Sequence, residues 1–121
     1  MKAHADFAAL VTAERDRRDN FKTLLSSVLP RPIAFVSTLS SGGFANLAPF
    51  SFFNGVGSNP PAVIFSPCTK ADGTTKDTLN NLRQVPEFVV NVVSEAILDA
   101  MVQTAGEWPR GTSEFGPAGF T

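Results

Sequence analysis

Residues 33–50 read IAFVSTLSSGGFANLAPF, and this stretch decides the fold. Ile33–Thr38 is rich in β-branched and aromatic side chains, which suit a pleated strand. Ser40, Ser41, Gly42 and Gly43 then form a turn, because small polar residues and paired glycines break regular structure. Phe44–Phe50 returns as a second strand. Two β-prone runs across so short a turn predict a hairpin.

Upstream, Phe21, Leu24, Leu25 and Val28 fall at i, i+3, i+4 and i+7, one face of a short amphipathic helix. It ends near Leu29, since Pro30 and Pro32 disfavour helix on either side of Arg31. Residues 1–20 read as an N-terminal arm. Phe7, Leu10 and Val11 have helical spacing, but the charges from Glu14 to Asp19 break the apolar face and belong in water.

Downstream, 51–59 is polar and glycine-rich, with room for a helical turn. Pro60 and Pro61 launch a third strand, Ala62–Ser66, apolar on both faces and therefore expected to be central or well covered. Residues 67–75 form a loop. Asp77–Gln84 follows as a helix with Asp77 as a possible cap, and Pro86 stops it. Glu87–Val93 is a fourth strand, and Ser94 caps a last helix over Glu95–Thr104. From Ala105 the glycines and prolines predict loop, with no element to tie it down. Four strands and a few short helices, joined by a hairpin and longer connections, make an α+β pattern with a largely antiparallel sheet. Four strands form an open sheet and do not close a barrel.

Of the 121 residues, 43% are apolar and 17% charged, enough for one core and too apolar for a disordered tail. A net charge of −1 argues against nucleic-acid binding by phosphate neutralisation, which needs a basic stripe. No apolar run approaches the about 20 residues of a membrane span, and the N-terminus lacks a secretory apolar region, so a cytoplasmic protein is expected. One Cys and one His leave no internal disulfide and too few soft ligands for zinc. Phosphate-loop, dinucleotide and nucleophile-elbow motifs are absent. His4 sits in the expected arm, a poor place for a catalytic base, and Cys68 reads as a small apolar filler at a strand end. With no pair of carboxylates placed for acid–base work, an enzyme built on this chain draws its reactivity from a cofactor.

Two segments carry chemistry. In NLAPFSFFN (46–54), Pro49 removes a backbone donor, small Ala48 permits close approach, and Phe50, Phe52 and Phe53 supply apolar walls. This suits a flat heteroaromatic ligand read by main-chain groups; equally, it suits an edge strand with a proline blocker. In Lys76-Asp77-Thr78 an ammonium, a hydroxyl and the amides of a helix start form an anion site, or simply a helix start with a surface lysine. Arg31, between two prolines, is either a second anion donor or a partner for Asp77.

In this order the segments PRPIAFVST (30–38), NLAPFSFFN (46–54), the Pro60-Pro61 pair, KDTLNN (76–81) and FVVNVVSEA (88–96) resemble the flavin reductase-like family of FMN-binding split barrels. That family includes flavoredoxin and the reductase components of two-component monooxygenases. The resemblance runs from about Phe21 to the end and makes 21–121 a flavin reductase-like domain. It implies an FMN-binding oxidoreductase that passes electrons from NAD(P)H through flavin to an acceptor, such as a monooxygenase; the alternatives are a non-catalytic electron carrier and a remnant without activity. It further implies that Asn46, Ala48, Pro49 and Phe50 face the isoalloxazine, with Ser51 and Asn54 nearer the ribityl phosphate. Ser66 would point into the same cleft, Lys76 and Thr78 would hold the phosphate, and Ser37 and Thr38 are weaker candidates. Family members usually continue for several strands that close the barrel and complete a homodimer. This sequence is expected to hold only the N-terminal part of the barrel.

Overall fold

The computed structural model describes residues 16–121. His4 and the arm as far as residue 15 lie outside the described residues. The chain divides into two compact units, residues 1–31 and 32–121.

In the first unit, Arg17–Ser27 forms α1. Asp16 caps it, its carboxylate accepting from the Asp19 N–H at 2.8 Å, which satisfies one of the amides left over at a helix start. The helix therefore begins before Phe21 and takes in part of the charged cluster. At the other end the Arg31 guanidinium donates to the carbonyls of Leu25 (2.7 Å) and Val28 (2.6 Å), where cations suit the negative end of the helix. These bonds use one nitrogen of the Arg31 guanidinium at the end of its own helix. Phe21, Leu24 and Val28 share the expected face, and all three are exposed.

In the second unit, β1 (Ala34–Leu39) and β2 (Ala45–Phe50) make the predicted hairpin, antiparallel from Ala34 opposite Phe50 to Leu39 opposite Ala45. Its turn closes through the Gly43 N–H donating to the Ser40 carbonyl at 2.9 Å, with Gly43 at φ 81°, a backbone state that favours glycine. β3 (Phe53–Ser58) and β4 (Pro61–Phe65) form a second hairpin. α2 (Asp77–Gln84) precedes β5 (Val89–Asn91), which pairs antiparallel with the free edge of β1. A 3₁₀ turn, Glu95–Ile97, leads into α3 (Leu98–Thr104). The sheets run β2-β1-β5 and β3-β4, and every pairing is antiparallel.

Because strand side chains alternate between faces, β1 feeds two cores. Ala34 and Val36 join Phe50 on one face, with Phe53 and Phe65 of the second hairpin packed over them. Phe35 joins Leu47 and Met101 on the other, with Ile33, Ile97, Phe115 and Phe120 around them. Burying one such phenylalanine contributes about 1.5–3 kcal/mol.

The structure corrects four expectations. Residues 53–58 are a strand, giving five strands among the described residues. Their sequence FNGVGS hides this, because the strand is made by pairing with β4 and not by its own propensity. A register shift lies between Gly55 and Gly57, and a Cβ at Gly57 would come within 3.3 Å of the Pro60 carbonyl oxygen. β4 is neither central nor covered: it pairs with β3 and is largely exposed, while β1 holds the central place. Asp77 is the first helical residue of α2 and Lys76 the cap, without a side-chain capping bond. Finally, the segment after Ala105 is loop, but it is tied down through the packing of Phe115 and Phe120 and the burial of Ala118. Among the described residues, no helix is long and apolar enough to cross a membrane.

Candidate functional site

The second unit carries an open cavity of about 260 Å³. One wall is β2, through Asn46, Ala48 and Pro49. A second is the 69–71 loop with the start of α2, Lys76 to Thr78; the third runs from Thr104 at the end of α3 to Trp108, and Glu114 completes it.

Local sequence explains each wall. The hairpin fixes β2, and Pro49 withholds a donor at its end. The 69–71 loop is shaped by Asp72, whose carboxylate accepts from the Thr74 N–H (2.8 Å) and hydroxyl (2.7 Å). Those two Thr74 bonds hold the Asp72 carboxyl below its usual range. The Lys70 N–H donates to the Thr74 carbonyl at 2.9 Å and closes the loop. At the head of α2, the Lys76 ammonium lies 5.2 Å from the centre of the Phe50 ring, a cation–π distance. Trp108 packs beside α3, its indole N–H donating to the Gln103 carbonyl at 3.3 Å.

Buried polar groups form the floor. Thr78, Asn46 and Glu114 are 1%, 8% and 6% exposed. The Glu114 carboxylate accepts from the Leu47 N–H at 2.9 Å, and the Asn46 amide lies 3.0 Å from the Thr78 hydroxyl. Burial pushes the Glu114 carboxyl above its ordinary value; the Leu47 N–H opposes this, and the charge of Asp77 adds to it.

Of the residues singled out in the sequence, Asn46, Ala48, Pro49, Lys76 and Thr78 line this cavity together. Phe50 lies behind it, in the core, beneath Lys76. Ser51 follows the end of β2 and does not line the cavity. Asn54 is on exposed β3, its side-chain oxygen accepting from the Gly55 N–H at 3.0 Å. Ser66 is exposed after β4, its hydroxyl 3.7 Å from the Cys68 sulfur. Ser37 is bonded to Asn91, and Thr38 to Asn81, away from the cavity. The sequence reading missed Glu114 and Trp108. Trp108 is the only tryptophan, a usable signal; Glu114 lies in a glycine- and proline-rich run without local pattern.

The second unit has the strand arrangement of a split-barrel flavoprotein, and the comparisons agree. The family model for the flavin reductase like domain matches residues 24–121, so the chain belongs to the flavin reductase-like family. An uncharacterized protein of Aquifex aeolicus is 45% identical over 111 residues, covering 92% of this chain and 57% of that protein. Among solved structures, nitrilotriacetate monooxygenase component B from Bacillus cereus superposes with a TM-score of 0.80 at 40% identity, over 88% of this chain and 52% of that one. The Pseudomonas fluorescens 2-nitrobenzoate 2-nitroreductase gives 0.75 at 33% identity, over 92% and 52%. The chain thus spans about half the length of the relatives it matches.

Proposed function

We propose that this protein binds FMN in the β2–α2 cavity and works as a NAD(P)H-dependent flavin reductase, handing electrons to an acceptor. The observation that carries this reading is a juxtaposition. The Ala48–Pro49 end of β2 and the Lys76–Thr78 start of α2, one suited to a flat ring and the other to an anion, face one cavity. The residues fit the group. Ala48 leaves room for a ring against bare main chain, while Lys76 and the first amides of α2 favour a phosphate. A cavity of 260 Å³ is below the about 300–1,000 Å³ of sites that enclose most of a ligand. It would therefore hold part of the coenzyme and leave the rest toward solvent or a second subunit.

When bound, FMN supplies the hydride acceptor and the electron exchange that no side chain here provides. The chain's own part is to bind and orient. Lys76 would neutralise the phosphate, Ala48 and Pro49 would set the ring against β2, and the buried floor would exclude water from that side. Self-association belongs to this reading, and the exposed Val56, Val63 and Ile64 of the second hairpin support it. Relatives described as a monooxygenase component and a nitroreductase support an acceptor that is either a partner oxygenase or a small nitroaromatic.

The test is an absorbance titration of the purified protein with FMN, with its mass by light scattering, then stopped-flow mixing with NADH or NADPH. Saturable binding with prompt loss of the flavin's visible band supports the reductase. Bleaching by a protein reductant alone indicates an electron carrier, and absence of binding overturns the proposal.

A further inference from the structure

A second, smaller cavity of about 160 Å³ adjoins the first, and Asn46 and Asp77 border both. It lies between the hairpin end at Ser40 and Phe44, the later turns of α2 at Asn81 and Gln84, and the 110–112 segment. Its lining combines an open aromatic face, a buried amide with a spare acceptor, and an unpaired guanidinium.

Phe44 is 62% exposed, yet its backbone is pinned. Its N–H donates to the Ser40 hydroxyl at 3.1 Å, and its carbonyl accepts from the Ser40 N–H at 2.9 Å. Asn81 is only 9% exposed, and its amide nitrogen donates to the Thr38 hydroxyl at 3.1 Å. Its amide oxygen has no partner among the described residues. Every fully buried polar side-chain atom among them does have one, so this oxygen still reaches open space, and the cavity is the space it borders. A spare acceptor in so buried a residue is costly until a donor meets it. Gln84 sits three residues on, along the same side of the helix. Its oxygen is spent on the Ser41 hydroxyl at 2.8 Å, which leaves its amide nitrogen as a donor at the cavity. Arg110 stands in a turn closed by the Thr112 N–H on the Pro109 carbonyl at 3.0 Å, and its guanidinium has no partner among the described residues.

An acceptor beside a donor, next to an open ring, matches the edge of adenine, whose amino group donates and whose neighbouring ring nitrogen accepts. Guanine presents a carbonyl where adenine has its amino group, and would set oxygen against the Asn81 oxygen. We propose that this second cavity binds the adenosine 5′-phosphate part of a nucleotide, with the base on Phe44 and against Asn81 and Gln84, and the phosphate toward Arg110. The Asp77 carboxylate, at the boundary of the two cavities, is placed to accept from the ribose hydroxyls. The volume suits one base and leaves the rest of the ligand outside. Two molecules carry this moiety: a flavin extended by an adenylate (FAD) and the nicotinamide donor. The choice between them rests on the coenzyme reading; the site itself does not.

The probe is AMP, titrated into the purified full chain by calorimetry, with the Asn81 and Gln84 side-chain amide resonances followed by NMR. Saturable binding that shifts both amides is expected, with GMP about tenfold weaker because its carbonyl leaves the Asn81 oxygen unpaired. Phe44→Ala and Arg110→Gln change exposed side chains, so the fold should survive. Each should weaken AMP about tenfold, through lost stacking in one and a lost phosphate contact in the other. No saturable AMP binding, equal affinity for AMP and GMP, or unchanged affinity in both variants overturns the proposal. FAD bound more tightly than FMN, with the gain lost in Arg110→Gln, assigns the site to the flavin. Equal flavin affinities with AMP competing against NADH assign it to the donor, and neither result leaves it to a free adenine nucleotide. If AMP binds as expected while FMN is not taken up, the coenzyme reading fails and this site stands.

Discussion

The Glu114 carboxylate accepts a 2.9 Å hydrogen bond from the backbone N–H of Leu47, 67 residues away. The bond ties the 114–120 segment to the strand that forms one cavity wall. Leu47 is itself 2% exposed.

Glu114→Ala should therefore lower stability by about 1.5–3 kcal/mol, the range for a hydrogen bond to a charged group. Urea unfolding checks this as a fall in midpoint at unchanged slope.

The raised Glu114 pKa gives stability a definite pH dependence. The folded state holds this proton more tightly than the unfolded chain, so unfolding releases it. The contribution is fully present below the ordinary glutamate pKa and is lost as pH rises through the folded value. Unfolding free energies of wild type and Glu114→Gln, measured across acid and neutral pH, should diverge with that sign.

Phe35 is 2% exposed and meets the Phe120 ring edge-on at 5.6 Å between centroids. Phe35→Ala should cost about 3–5 kcal/mol, a large share of a small domain's stability. Phe35→Leu should cost clearly less, since it leaves a smaller void. Denaturant melts of both variants give the comparison.

Lys76→Ala should weaken FMN binding by about one to two orders of magnitude, the equivalent of ~1.5–3 kcal/mol in charge-assisted hydrogen bonding. Lys76→Arg should recover part of the loss. Fluorescence titration measures both, and equal affinity in Lys76→Ala would remove this lysine from the site.

Trp108 is the chain's single tryptophan and lines the cavity. Bound flavin absorbs where indole emits, so FMN should quench this emission saturably. The midpoint should move with Lys76→Ala by the same factor as the flavin signal.

The first hairpin and α2 were legible because each carries its own signal. The former has β-prone runs around Ser40–Gly43, and the latter has helix formers between a cap position and Pro86. β3 was not legible, since Asn54, Gly55, Gly57 and Ser58 are poor strand formers that extend only when β4 lies beside them. β4 misled for the opposite reason: AVIF reads as interior, yet Val63 and Ile64 are exposed. At the cavity, residues close in sequence to a strand end or helix start could be singled out, and five of them share one wall system. Ser51, Asn54 and Ser66 lie elsewhere because the chain turns into the second hairpin immediately after β2. Glu114 was out of reach for any local reading, as its partner is fixed only by tertiary packing.

β1 has a hydrophobic cluster on each face and a hydrogen-bonded neighbour along each edge. Neither cluster can loosen without disturbing the shared strand. The second unit should thus open as one cooperative body, with the amides of Ala34–Thr38 among the last to trade their protons for deuterium.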